Sequence, residues 1–193
     1  MGWRLVYITA VGVALVCLAS YAIHGADEAG VHHLLRVTAR LSLGLFSLTF
    51  AASPLHQLFG VSWPLAHRRY LGVSFAVAHG YHLMAIVALA KLHGAGDFAR
   101  TQGATLWAGA FGYLLVAAMV ATSFDGSAAW LGRRRWKILH AGGVYGLGAF
   151  FVFTYVVAAV ERGGAYVFFA AVALAAPALR VAAWIRSRRA PAR

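Results

Sequence analysis

Three histidines lie where histidine is expensive. His79 and His82 fall inside the apolar run RRYLGVSFAVAHGYHLMAIVAL, and His140 falls inside GRRRWKILHAGGVYGLGAFFVF. An imidazole in hydrocarbon costs free energy unless it bonds a neighbouring helix or ligates something. Such residues therefore mark either a helix–helix contact or a functional site. The chemistry open to them is metal ligation, with a haem iron as first candidate, because neutral imidazole is a common axial ligand. His79 and His82 are three apart, so on a helix they share a face.

Their depths bear on how many sites they form. His82 comes 13 residues after Arg69, about 20 Å along a helix, whereas His140 comes 3 residues after Lys137, about 5 Å along. Two axial nitrogens on one iron stand only about 4 Å apart, given bonds of about 2 Å. Unless the helices tilt strongly, His82 and His140 belong to separate levels, one outer and one inner. At the inner level His67 is the candidate partner of His140, with His56 in the same loop as a weaker alternative. At the outer level the residues one membrane depth after His140 are Phe153, Thr154 and Tyr155, none of them histidine. Tyr155 is a conceivable haem ligand, and His79 takes the missing place only if the site is remodelled.

The other polar groups have plainer readings. His24, His32, His33 and His93 lie in outer loops or at the edges of apolar runs, where solvated or interfacial roles are expected. His32-His33 has no second pair at metal-ligand spacing. Gly142, Gly143, Gly146 and Gly148 give a small-residue face after His140, suited to a flat macrocycle or to close helix packing. Arg133, Arg134, Arg135 and Lys137 cluster beside His140, with Arg68 and Arg69 in the neighbouring loop. They serve membrane orientation, or they pair with haem propionates or an anionic flavin. The single cysteine, Cys17, leaves no CxxCH for covalent haem and no thiolate set for an iron–sulfur cluster. It reads as a small buried hydrophobe.

The elements that position these residues are apolar runs of bilayer length. The chain of 193 residues is 62% hydrophobic and 11% charged, too apolar for a soluble domain of this size. Six spans are expected, at Leu5–Ile23, Leu34–Ala52, Tyr70–Ala90, Thr105–Thr122, Ile138–Val160 and Tyr166–Trp184. Ser53-Pro54 is expected to end the second, and Pro177 to kink the sixth. The first run is too long for a usual signal peptide. No linker or internal repeat stands out, so residues 1–193 read as one transmembrane domain.

Charge sets the orientation. The net charge is +12, but the cations gather at span ends without the aromatic interleaving of nucleic-acid binders, so no nucleic acid is expected. With both termini cytoplasmic, twelve cations fall inside: Arg4, Arg68, Arg69, Arg133, Arg134, Arg135, Lys137, Arg180, Arg186, Arg188, Arg189 and Arg193. Five fall outside: Arg36, Arg40, Lys91, Arg100 and Arg162. That asymmetry follows the positive-inside rule. All six tryptophans lie near span ends, as an interfacial belt requires.

Two motifs resemble a known family. Arg68-Arg69-Tyr70-Leu71-Gly72 followed by His82 resembles the RRxLG…H segment of the ferric reductase-like transmembrane domain. Thr122-Ser123, Leu131-Gly132, Trp136 and Leu139-His140 resemble its TS…LG…W..LH stretch, and Arg40 with Ser53-Pro54 is similarly arranged. The resemblance covers about residues 30–160 and is nearest to the small haem-binding membrane partner of a periplasmic methionine sulfoxide reductase. It implies a six-helix bundle with haem b between the third and fifth spans. Electrons would come from quinol or a separate flavoprotein, with FMN or quinone as further cofactors.

Residue by residue, the resemblance puts the outer third-span ligand at His82 and the first fifth-span ligand at His140. Phe153 or Thr154 replaces the second fifth-span histidine, and Arg68, beside His67, stands at the early third-span ligand position. No GxGxxG follows a strand, so a nicotinamide donor is not expected. The implied function is electron transfer to ferric iron or a partner reductase across a bacterial-type inner membrane. The alternative is a haem-less scaffold or interaction protein on the same fold. A small transporter would need spans broken at mid-membrane, a feature hinted at only by Pro177.

Overall fold

The computed structural model describes residues 2–189, and every regular element among them is helical. The helices are α1 (Gly2–His24), α2 (Glu28–Phe59), α3 (Trp63–Ala66), α4 (Arg68–His93), α5 (Ala95–Ala121), α6 (Asp125–Leu131), α7 (Arg133–Arg162) and α8 (Ala165–Arg189). Helices α1, α2, α4, α7 and α8 are long and apolar enough to cross a membrane. Helix α5 supplies a sixth crossing if its two arms, Ala95–Gly103 and Thr105–Ala121, count as one broken span with a bend of 97°. Gly103 makes that bend at φ 42°, ψ −120°, a backbone conformation that L side chains rarely adopt. The long arm begins at Thr105, where the fourth apolar run was expected to begin.

Large apolar side chains point outward. Ile8 is 69% exposed, Leu114 69% and Val160 83%. In water such faces would drive association, whereas in a bilayer they meet hydrocarbon. The chain is thus a multi-pass membrane protein of helices. Its interior is narrow, built on Leu43, Phe46 and Phe50 of α2, Phe75 of α4, and Leu147 and Phe151 of α7.

Helix α2 is the hub, touching α1, α4, α7 and α8. It overruns the expected Leu34–Ala52 at both ends. At its start the Asp27 carboxylate accepts from the Gly30 amide at 2.9 Å, capping a helix that begins at Glu28. At its end the helix passes through Pro54 and stops only at Gly60, which is left-handed at φ 72°. Proline ordinarily ends a helix because it removes an amide and orphans the carbonyl four residues back. Here that carbonyl belongs to Phe50, and Arg180 Nε of α8 donates to it at 3.1 Å. A tertiary donor thus stands in for the missing amide. Helix α8 likewise continues through Pro177.

The two ends of the bundle differ in charge. Trp3 at the start of α1 lies 5.6 Å from the Tyr70 ring and 6.0 Å from Phe124, while Arg186 near the end of α8 donates to the Leu58 carbonyl at 3.0 Å. The ends of α1 and α8 therefore sit with the turns around α3 and α6. This end carries Arg4, Arg68, Arg69, Arg133, Arg134, Arg135, Lys137, Arg180, Arg186, Arg188 and Arg189. Arg193, expected on the same side, lies outside the described residues.

Candidate functional site

At the basic end the helices part around a cavity of about 630 Å³, within the range of cofactor sites. Arg68, Arg69, Lys137 and Arg180 supply its charge, and His140 and Trp136 its polar rings. Phe46, Phe50 and Phe75 form its apolar wall. A concave, mostly apolar space edged by cations suits a flat ligand carrying carboxylates or phosphates.

His140, Trp136, Arg180 and Arg69 are each held by a neighbour. His140 and Trp136 are four apart on α7, so their rings stack, with centroids 4.2 Å apart. Trp136 Nε1 donates to the Thr122 carbonyl at 2.9 Å, tying the start of α7 to the end of α5. Thr122 Oγ1 donates to the Ala118 carbonyl at 2.7 Å, which uses its only proton. It must then accept from His140 Nε2, 3.0 Å away. The proton of His140 is assigned to Nε2 and the lone pair to Nδ1. Arg180 lies 4.3 Å over the Phe50 ring and donates to Tyr145 Oη at 3.2 Å. Arg69 pairs with the exposed Asp125 at 3.0 Å.

His82 repeats the arrangement at another level. Thr38 is fully buried and donates to the Leu34 carbonyl at 2.8 Å, so its oxygen accepts from His82 Nδ1 at 3.0 Å. That fixes the lone pair of His82 on Nε2, the tautomer of a metal-ligating histidine held by a supporting bond. His79, one turn earlier, stacks on Tyr113 at 4.5 Å and on Phe75 at 5.3 Å. Its Nδ1 is buried without a hydrogen-bond partner among the described residues.

The expected partnerships do not form. His67 does not line the cavity with His140. Its Nδ1 stands 3.0 Å from the Trp63 carbonyl and its ring stacks on Trp63 at 5.4 Å. His56 is bonded to Ser62 at 3.1 Å. Neither His79 nor His82 lines this cavity. Tyr155 is buried against Phe169, 5.9 Å between centroids. Of the basic cluster, Arg133, Arg134 and Arg135 are exposed and stand off the cavity, leaving Lys137 on it. The cation that reading by motif missed is Arg180, whose place at the rim follows from Pro54 and Phe50 on a distant helix. Gly142 and Gly146 face open space, whereas Gly143 abuts Met119 and Gly148 abuts Phe46 and Phe50.

His140 is the one imidazole among the residues lining the cavity, whereas His79 and His82 lie together on α4 with ring centroids 5.6 Å apart. His140 lines the cavity beside a basic rim and aromatic walls. A flat ligand with carboxylates for the cations and one position open to an imidazole would fit this lining. The lining does not fit two imidazoles on one iron. No family model matches the chain, and neither a curated protein nor a solved structure matches it significantly.

Proposed function

We propose that this chain is a membrane electron-transfer subunit whose cavity at the basic end holds haem b, in the manner of the ferric reductase-like domains. The single observation behind this reading is the convergence of His140 with Arg68, Lys137 and Arg180 on one aromatic-walled space of about 630 Å³. A bound haem would supply the one-electron couple. The chain's part is to position and insulate it. His140 would ligate through Nδ1, with Thr122 fixing the tautomer. Arg68, Lys137 and Arg180 would pair with carboxylates, and Phe46, Phe50 and Phe75 would exclude water. With the basic end cytoplasmic by the positive-inside rule, the donor is a quinol or a separate flavoprotein carrying FMN. The acceptor, ferric iron or a partner reductase, lies across a bacterial-type inner membrane.

A specific observation supports a second reading, that of a haem-less scaffold. Both His82 and His140 already have hydroxyl partners on neighbouring helices, which satisfies them as structural groups. Absorbance separates the two. Protein purified after haem-supplemented expression should show a Soret band that shifts on adding dithionite, and His140→Ala should remove most of it. A colourless, folded protein refutes the haem reading. The scaffold reading in turn requires that replacing His82 and His140 together leaves the associated reductase active.

A further inference from the structure

The end of the bundle opposite the cavity carries a group of side chains that no sequence motif marks. Glu28 and His32 are four apart at the start of α2 and so share a face. His93 is the last residue of α4, which runs back along α2 over the most extensive helix contact in the bundle. The antiparallel pairing brings these three residues to one place. Glu28 Oε1 stands 3.3 Å from His93 Nε2 and 3.6 Å from His32 Nε2. One donor atom from each of the three residues lies within 4.8 Å of the others.

Those separations have a chemical meaning. Bonds of about 2.0–2.2 Å to nitrogen and oxygen place neighbouring donors of a tetrahedral ion about 3.3 Å apart. Two of the three distances, 3.3 and 3.6 Å, are close to this value, and the third is no more than 4.8 Å between half-exposed side chains. Asp27 does not compete, since its carboxylate caps α2 through the Gly30 amide at 2.9 Å. The neighbouring pair His24 and His33 is a different feature. Its rings stack at 3.9 Å, and His33 Nδ1 is bonded to Ser20 at 2.9 Å.

We propose that Glu28, His32 and His93 form a solvent-accessible binding site for a divalent transition-metal ion. Two imidazoles and one carboxylate are borderline donors, the set that takes Zn²⁺ and, with open positions, Fe²⁺ or Cu²⁺. Water fills the remaining positions because the three side chains are 46%, 62% and 40% exposed for His32, Glu28 and His93. The ion would bridge the first turns of α2 to the last turn of α4, next to the corner where α5 begins. This site shares no residue with the cavity, so it stands or falls apart from the haem reading.

The test is a titration of the full chain, stripped with chelator in detergent, with Zn²⁺ and then Co²⁺. One equivalent of Zn²⁺ should bind with micromolar affinity, and Co²⁺ should give the visible absorption of a low-coordinate nitrogen–oxygen site. His93→Ala and Glu28→Gln should each weaken Zn²⁺ binding at least tenfold, while His24→Ala leaves it unchanged. All three positions are surface-exposed, and a matched gel-filtration profile reports that each variant is folded. Absence of saturable binding at micromolar Zn²⁺ overturns the proposal. So does binding that survives His93→Ala, which removes that residue from the site, or binding that depends on His24, which assigns the ion to the separate His24–His33 pair.

Discussion

Replacing Arg180 by methionine tests how α2 survives its proline. The guanidinium Nε donates to the Phe50 carbonyl, whose helical partner would have been the amide at position 54. Leaving a part-buried carbonyl unpaired costs about 1–3 kcal/mol. Loss of the Phe50 and Tyr145 ring contacts adds about 0.5–1 kcal/mol at a half-exposed site. Arg180→Met should therefore destabilise the protein by about 1.5–4 kcal/mol. Pro54→Ala restores an amide to the same carbonyl. In that background the cost of Arg180→Met should fall to about 0.5–1 kcal/mol, a coupling of about 1–3 kcal/mol. Pro54 is buried, so Pro54→Ala also loses packing, but that loss enters both arms of the cycle and cancels. The assay is equilibrium unfolding of four proteins in one detergent, followed by helical circular dichroism. Equal costs of Arg180→Met in both backgrounds would show that Arg180 does not replace the missing amide, and the account of the α2 end would fail.

Two further outcomes follow from packing and bonding. At Gly30 an added methyl meets the backbone carbonyls of Gly25 and His24, the latter at 2.8 Å, and backbone cannot rotate away. Gly30→Ala should cost about 1–3 kcal/mol or more in thermal unfolding, whereas Gly143→Ala meets only the flexible end of Met119 and should cost less. Equal costs at the two glycines would contradict this. Thr38→Val keeps the volume but removes the acceptor for His82 Nδ1. It should destabilise by about 1–3 kcal/mol, with Thr38→Ser recovering most of the loss. An unchanged melting temperature in Thr38→Val would mean that His82 is not held by this bond.

Much of the architecture was legible residue by residue. Runs of bilayer length named the crossings, since lipid allows a spanning segment only if it satisfies its own backbone. Cations at run ends separated a basic end from the other. The start of the long α5 arm at Thr105 followed from the same hydropathy. Proline chemistry misled at Pro54, because the local rule assumes that no donor arrives from another helix. The short α3 and α6 carry too few residues for a periodic signal.

The site was legible only in part. Composition and sequence spacing determine that the chain is helical, membrane-embedded and provided with imidazoles at more than one depth. These properties are set by each segment's own hydrophobicity and rise. Which groups meet is a property of the tertiary structure. The turn between α3 and α4 laid His67 back on Trp63, four residues earlier, while helix packing gave His140 to Thr122 and His82 to Thr38, and brought Arg180 of α8 to a cavity it shares with Arg68. The antiparallel pairing of α2 and α4 placed His93 beside Glu28 and His32, residues more than sixty positions earlier in the chain. Sequence spacing measures depth along a helix axis. The azimuth about that axis, and the neighbour it selects, is fixed by packing between helices.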